Sequence, residues 1–138
     1  ADAKAKLLAL TVLSNLAADA SNRASMWADE QGARAAILAA ATDASDWKMR
    51  EVALGILQHM AMDAGSKAAM WEDQGARNAL VEGARLYYPA NTQARLCAFG
   101  ALWNLASNAS NKESMWSDEQ GARAIVAAVA TPADQGDG

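Results

Sequence analysis

Cysteine, proline, phenylalanine and histidine are nearly missing from this 138-residue chain, which has one, two, one and one of them. The single thiol, Cys97, cannot close an internal disulfide, so no cross-linked scaffold is expected. It suits a reducing compartment better than an oxidising one. Only 22 residues are Leu, Ile, Val or Phe. So low a share signals disorder when joined to high net charge, but the net charge here is only −4. No apolar run approaches the ~18–20 residues that cross a bilayer. Basic residues form no cluster, which argues against a nucleic-acid interface. The first residues, from Ala1 onward, carry neither a charged leader nor an apolar signal core, so no targeting segment is expected in them.

Chemistry is equally thin. No second histidine, cysteine or acid cluster accompanies His59, so no metal site is expected. A Gly-rich phosphate loop and a nucleophile–base pair are also missing. The reading is a non-enzyme without cofactor or metal.

What the chain does have is alanine: 36 residues of it, with five Trp and six Met bringing the apolar share to 52%. Alanine has the best helix propensity, and two prolines interrupt little. The expected class is all-α.

A repeat organises the helices. Met26-Trp27-Ala-Asp-Glu-Gln-Gly-Ala-Arg34, Met70-Trp71-Glu-Asp-Gln-Gly-Ala-Arg77 and Met115-Trp116-Ser-Asp-Glu-Gln-Gly-Ala-Arg123 are three versions of one phrase. A second phrase, Leu13-Ser-Asn15-Leu16, Leu57-Gln-His59-Met60 and Leu102-Trp-Asn104-Leu105, keeps the same period of 44–45 residues. Such a period fits a solenoid of two- or three-helix units. Three helices are predicted per period: a short one near 22–30, 66–73 and 111–119, a second near 33–42, 76–87 and 122–131, and a long third near 3–18, 47–62 and 92–107. Asn22, Ser66 and Asn111 are expected to cap the first helix. Gly32, Gly75 and Gly121 are expected to end it in a left-handed conformation. Pro89 and Pro132 follow two copies of the second helix. Asp2, Asp46 and Asn91 are expected to cap the third. The single domain, 1–138, then divides into a third helix alone (1–20), two full repeats (21–64 and 65–109), and a first and second helix (110–138).

At these phrases the chain resembles the armadillo-repeat family. The run Asn111-Lys-Glu-Ser-Met-Trp-Ser-Asp-Glu-Gln-Gly-Ala-Arg-Ala-Ile-Val-Ala-Ala-Val129 looks like that family's first two helices, and Ala101-Leu-Trp-Asn-Leu-Ala-Ser107 is similar to the end of its third. The resemblance implies a right-handed α-solenoid without true capping repeats. It also implies that Asn15 and Asn104 line a concave groove and hydrogen-bond an extended peptide. Lys4 and Lys48 share the faces of Asn15 and His59, since residues 4, 7 and 11 apart project along one side of a helix. The competing reading is that these Asn side chains tie neighbouring repeats together. The Trp that import receptors carry four residues before the Asn is replaced here by Thr11, Gly55 and Gly100.

The remaining repeated residues read as structure. Trp27, Trp71 and Trp116, with the Met before each, are expected to fill the gaps that alanine leaves. Arg34, Arg77 and Arg123 each follow an acid by four, Glu30, Asp73 and Glu119, and are expected to clamp it. Cys97 falls at the helical place of Leu8 and Val52 and is expected to pack.

The two ends complement each other. The opening helix carries an apolar arc wider than one neighbour covers, with Leu7, Leu10 and Leu13 as candidate contacts. The closing helix offers Ile125, Val126 and Val129. The leading expectation is a structural protein that self-associates head to tail, a heterologous contact that grows a filament unless it closes. The alternatives are an adaptor that binds a peptide or another protein in the groove, and a segment of a longer array.

Overall fold

A computed structural model describes residues 2–86 and 91–132 of the chain. Pro89 and the 133–138 end of the last repeat lie outside the described residues. Among the described residues every regular element is helical, and there is no strand. The helices are α1 (Ala3–Ala17), α2 (Ala20–Ala28), α3 (Ala33–Ala41), α4 (Trp47–Met60), α5 (Lys67–Glu72), α6 (Gln74–Ala84), α7 (Thr92–Ala106), α8 (Ala109–Ser117) and α9 (Ala122–Ala130). The three-helix period is therefore present as helices: α1, α4 and α7 hold the long third segment, α2, α5 and α8 the short first one, and α3, α6 and α9 the second.

Helices of one kind lie beside each other. The long helix α4 packs against α1 on one side and α7 on the other. The second helix α6 meets both α3 and α9, and the short helix α5 meets α8. Between the rows runs a core built on Ile37, Leu54, Ile56, Leu57, Met60, Met70, Trp71, Leu80 and Leu105, with buried alanines at the closest approaches. Alanine at the crossings lets backbones approach, and the large side chains fill what remains.

The helix starts follow carboxylates and amides. Asp2 and Asp46 cap α1 and α4, accepting the backbone N–H groups of Lys4 and Met49 at 3.0 Å each. Asn91 precedes α7 without a side-chain cap bond. The short helices begin earlier than the sequence pattern suggested. Asp19 caps α2 through Ser21, and Asn108 caps α8 through Ser110, both at 3.0 Å. Asn22 and Asn111 therefore sit inside their helices, where their amides serve another purpose. Ser66 does precede α5, but its hydroxyl donates to Asp63 Oδ2 at 2.7 Å instead of receiving a cap bond.

The turn glycines also differ from expectation. None of the described glycines has positive φ. Gly32 and Gly121 precede α3 and α9, and the carboxylates of Asp29 and Asp118 fold over them to accept Ala33 N–H and Ala122 N–H at 2.8 Å. A Cβ at either glycine would collide with that carboxylate. Glycine is required by close approach, not by a left-handed backbone. In the middle repeat one turn residue is deleted, so Asp73 ends α5 and caps α6 through Ala76 N–H at 2.8 Å. That economy gives α6 eleven residues where α3 and α9 have nine.

Candidate functional site

The row of third-helix polar residues divides. Asn15 is exposed near the end of α1, as is Lys4 near its start. Asn104 is half-buried, and its Nδ2 donates to the Gln58 carbonyl of α4 at 3.2 Å. Asn104 thus links α7 to the preceding long helix, as the competing reading had it. His59, between them, is half-buried with Nδ1 buried and without a hydrogen-bond partner. Lys48 is exposed and pairs with Glu51 at 3.0 Å. Beside Asn104 the sequence reading passed over Trp103, which is 80% exposed on α7. Its counterparts are Ser14 and Gln58, so no repeat pattern marked it.

Two of the three arginine clamps form, with an addition. Arg34 reaches Glu30 at 3.3 Å and Arg123 reaches Glu119 at 3.7 Å. Each repeated arginine also lies over the ring of its repeated tryptophan, at 4.0 Å for Arg34 on Trp27, 4.7 Å for Arg77 on Trp71 and 4.5 Å for Arg123 on Trp116. Each donates to that tryptophan's carbonyl as well. The planar guanidinium serves ring, carbonyl and carboxylate at once. Arg77 turns to Trp71 alone in this way, with the Asp73 carboxylate engaged in capping.

Cys97 is buried against α4, with Gln93 Nε2 at 3.8 Å from its sulfur. Burial pushes its thiol above the usual cysteine value, partly offset by the Gln93 contact. A desolvated thiol of this kind is slow to react. No group of three or more His, Cys, Asp or Glu side chains that could hold a metal exists among the described residues. No described helix is long and apolar enough to cross a membrane.

The end helices carry the largest anomaly. Trp27 and Trp71 are buried, at 5% and 1% exposure, whereas Trp116 at the same place in the phrase is 66% exposed. Val126 is 44% exposed, although its counterparts Ile37 and Leu80 are fully buried. Val129 is similarly uncovered where Gly83 is buried. On α1 the exposed apolar residues are Leu8, Val12 and Leu16. The α4 and α7 counterparts of Val12 (Ile56 and Ala101) and of Leu16 (Met60 and Leu105) are fully buried. The candidate contacts read from sequence are placed differently. Leu10 and Ile125 are covered by their own chain, and Leu7 and Leu13 are half-covered. A 3.6-residue pattern identifies apolar positions, but not which of two apolar faces a neighbour takes.

Leu10 and Leu13 instead line an apolar cleft of about 340 Å³ between α1, α3 and the start of α4, with Lys6 and Asp43 at its mouth. The equivalent joint between α4, α6 and α7 is closed by Gly83, where a Cβ would stand 3.0 Å from Leu54 Cδ1 and 3.1 Å from Ala98 Cβ. Ala40 stands in the place of Gly83 and lines the cleft.

No protein-family model, curated protein or solved structure matches this chain.

Proposed function

We propose that this chain is a non-catalytic structural protein, an armadillo-like right-handed α-solenoid that self-associates head to tail and serves as a filament subunit. In this reading α8 and α9 of one molecule dock on α1 and α2 of the next, completing a repeat across the joint. The observation that carries it is the unequal cover of equivalent positions. Trp116 and Val126, and opposite them Val12 and Leu16, are uncovered residues whose counterparts are buried by a neighbouring repeat. Scattered exposed apolar residues need no explanation, but contiguous ones mark interaction surfaces.

Magnitudes set the character of the joint. Covering a half-exposed Val or Leu gains on the order of 1 kcal/mol, against an association cost of about 4–15 kcal/mol. Several such residues together with the Trp116 ring are needed, so assembly is expected to depend steeply on concentration.

Sedimentation velocity and negative-stain electron microscopy across a concentration series test the reading. A chain that stays monomeric at high concentration overturns it. Direction is tested with two half-blocked variants. Val12→Glu with Leu16→Glu disables the α1 face, and Val126→Glu with Val129→Glu disables the α9 face. Each should remain monomeric alone, because a buried charge is costly, and a mixture should form a one-to-one pair that grows no further. A symmetric, face-to-itself contact would instead leave one variant able to dimerise unaided.

A further inference from the structure

The internal contact between α5 and α8 is keyed by two polar bonds. Trp71 Nε1 donates to Ser114 Oγ at 2.9 Å. Asn111, buried, donates through Nδ2 to the Lys67 carbonyl of α5 and to the Leu105 carbonyl, both at 3.0 Å. The receiving helix thus supplies an Asn and a Ser three residues apart, while the preceding helix supplies a Lys carbonyl and a Trp four residues apart.

The pieces of this key are unevenly distributed along the chain. The receiving pair occurs in α8 as Asn111-Lys-Glu-Ser114 and again in α2 as Asn22-Arg-Ala-Ser25. In α5 it is lost, since Ser66 and Ala69 stand there. The supplying pair occurs in α5 as Lys67 and Trp71, and in α8 as Lys112 and Trp116. Within the chain α8 receives from α5. Among the described residues, therefore, no supplier stands opposite the α2 pair and no receiver stands opposite the α8 Lys–Trp pair. Their side chains agree. Asn22 Nδ2 already donates to the Leu16 carbonyl at 3.0 Å, the counterpart of the Asn111 bond to Leu105, which leaves its second N–H unused. Ser25 is exposed, and its hydroxyl makes only a 3.5 Å contact with the Asn22 carbonyl. Trp116 projects its ring into solvent.

We infer that α2 is the docking site for the α8 helix of a second molecule of this chain, keyed by a hydrogen bond from the partner's Trp116 indole N–H to Ser25 Oγ and by one from Asn22 Nδ2 to the carbonyl of the partner's Lys112. This rests on the head-to-tail reading and adds what makes the joint selective. Apolar faces alone would accept any greasy helix, whereas an indole N–H buried without an acceptor rejects one that lacks the Asn–Ser pair.

The test uses the one-to-one pair of half-blocked chains, which limits growth. The Val12→Glu, Leu16→Glu chain supplies α8 and the Val126→Glu, Val129→Glu chain supplies α2. Calorimetry gives its affinity. Proton–nitrogen spectra give the Trp116 indole resonance, which should shift and become protected from solvent exchange on pairing. Ser25→Ala in the receiving chain should weaken pairing about fivefold, the worth of one neutral hydrogen bond, and abolish the added protection. Trp116→Phe in the supplying chain combined with Ser25→Ala should cost less than the sum of the two alone, because the pair shares one bond. Asn22→Ala should weaken pairing by a similar factor. Pairing that proceeds with Ser25→Ala and Asn22→Ala unchanged in affinity overturns the key while head-to-tail assembly stands. Absence of pairing between the half-blocked chains overturns both.

Discussion

Trp71 and Trp116 stand 45 residues apart in the same phrase, beneath the arginine six and seven residues on respectively, yet one is enclosed and the other faces solvent. The same contrast holds for Leu80 against Val126 and for Ile56 against Val12. What separates the members of each pair is not their own helix but the presence of a neighbouring repeat. In a stack of units, burial belongs to the interface, and stability divides into terms for each repeat and for each junction.

The comparison breaks most sharply at the tryptophans. Trp71→Ala opens a core position and should cost about 3–5 kcal/mol. Trp116→Ala should change the stability of the dilute monomer by no more than about 0.5 kcal/mol. Urea unfolding followed by circular dichroism measures both, and equal losses would show that the phrase and not its neighbours determines burial.

Next is the second-helix joint. Gly83→Ala places a methyl a few tenths of an ångström inside ordinary contact with Leu54 and the fixed Ala98 methyl, and should cost about 1–3 kcal/mol. Ala40→Gly at the first joint, beside the open cleft, should cost only the helical penalty of glycine, about 0.5–1 kcal/mol. Thermal melts of the two variants give the difference. If Gly83→Ala proves neutral, the tighter closure of the middle joint has another cause.

The smallest effect lies at the short-helix caps. The backbone N–H of Ser21, and then its hydroxyl, hold the Asp19 carboxyl below its ordinary value of 3.8. A carboxylate whose folded value is depressed stabilises above the unfolded value and loses that contribution as pH falls through the folded one. Acidification below about pH 4 should therefore loosen the start of α2, seen as faster exchange of the Ser21 amide. The Ser110 amide, capped by the neutral Asn108, should be indifferent over the same range. Asp19→Asn should erase the difference.

Much of this was legible in the sequence. The long helices begin within a residue of their predicted starts because Asp2 and Asp46 are strong caps followed by unbroken helix formers. The caps of α2 and α8 lie three residues before the expected ones, because Asn22 and Asn111 look like caps to any local rule. Their amides bond carbonyls six residues back and, for Asn111, on another helix. Local propensity cannot see those partners. The turn glycines differ from expectation for the same reason, since a carboxylate lying over a glycine excludes a Cβ while φ stays negative. Among the candidate contact residues, Leu10 and Ile125 are taken up by their own chain while Val126 and Val129 stay open. Side-chain periodicity names two apolar faces without ranking them.

By itself the sequence determined the helical class, the 44–45-residue period, the capping carboxylates of two long helices and the scarcity of histidine and cysteine. These follow from propensity, spacing and inventory, which are properties of short stretches of chain. Only the tertiary structure decided which tryptophan is core and which is surface, that Asn104 binds α4, and that the Asn–Ser pair of α8 bonds α5 while that of α2 meets no such helix among the described residues. Those facts concern what lies across a helix–helix contact, and burial there is set by the neighbour's atoms.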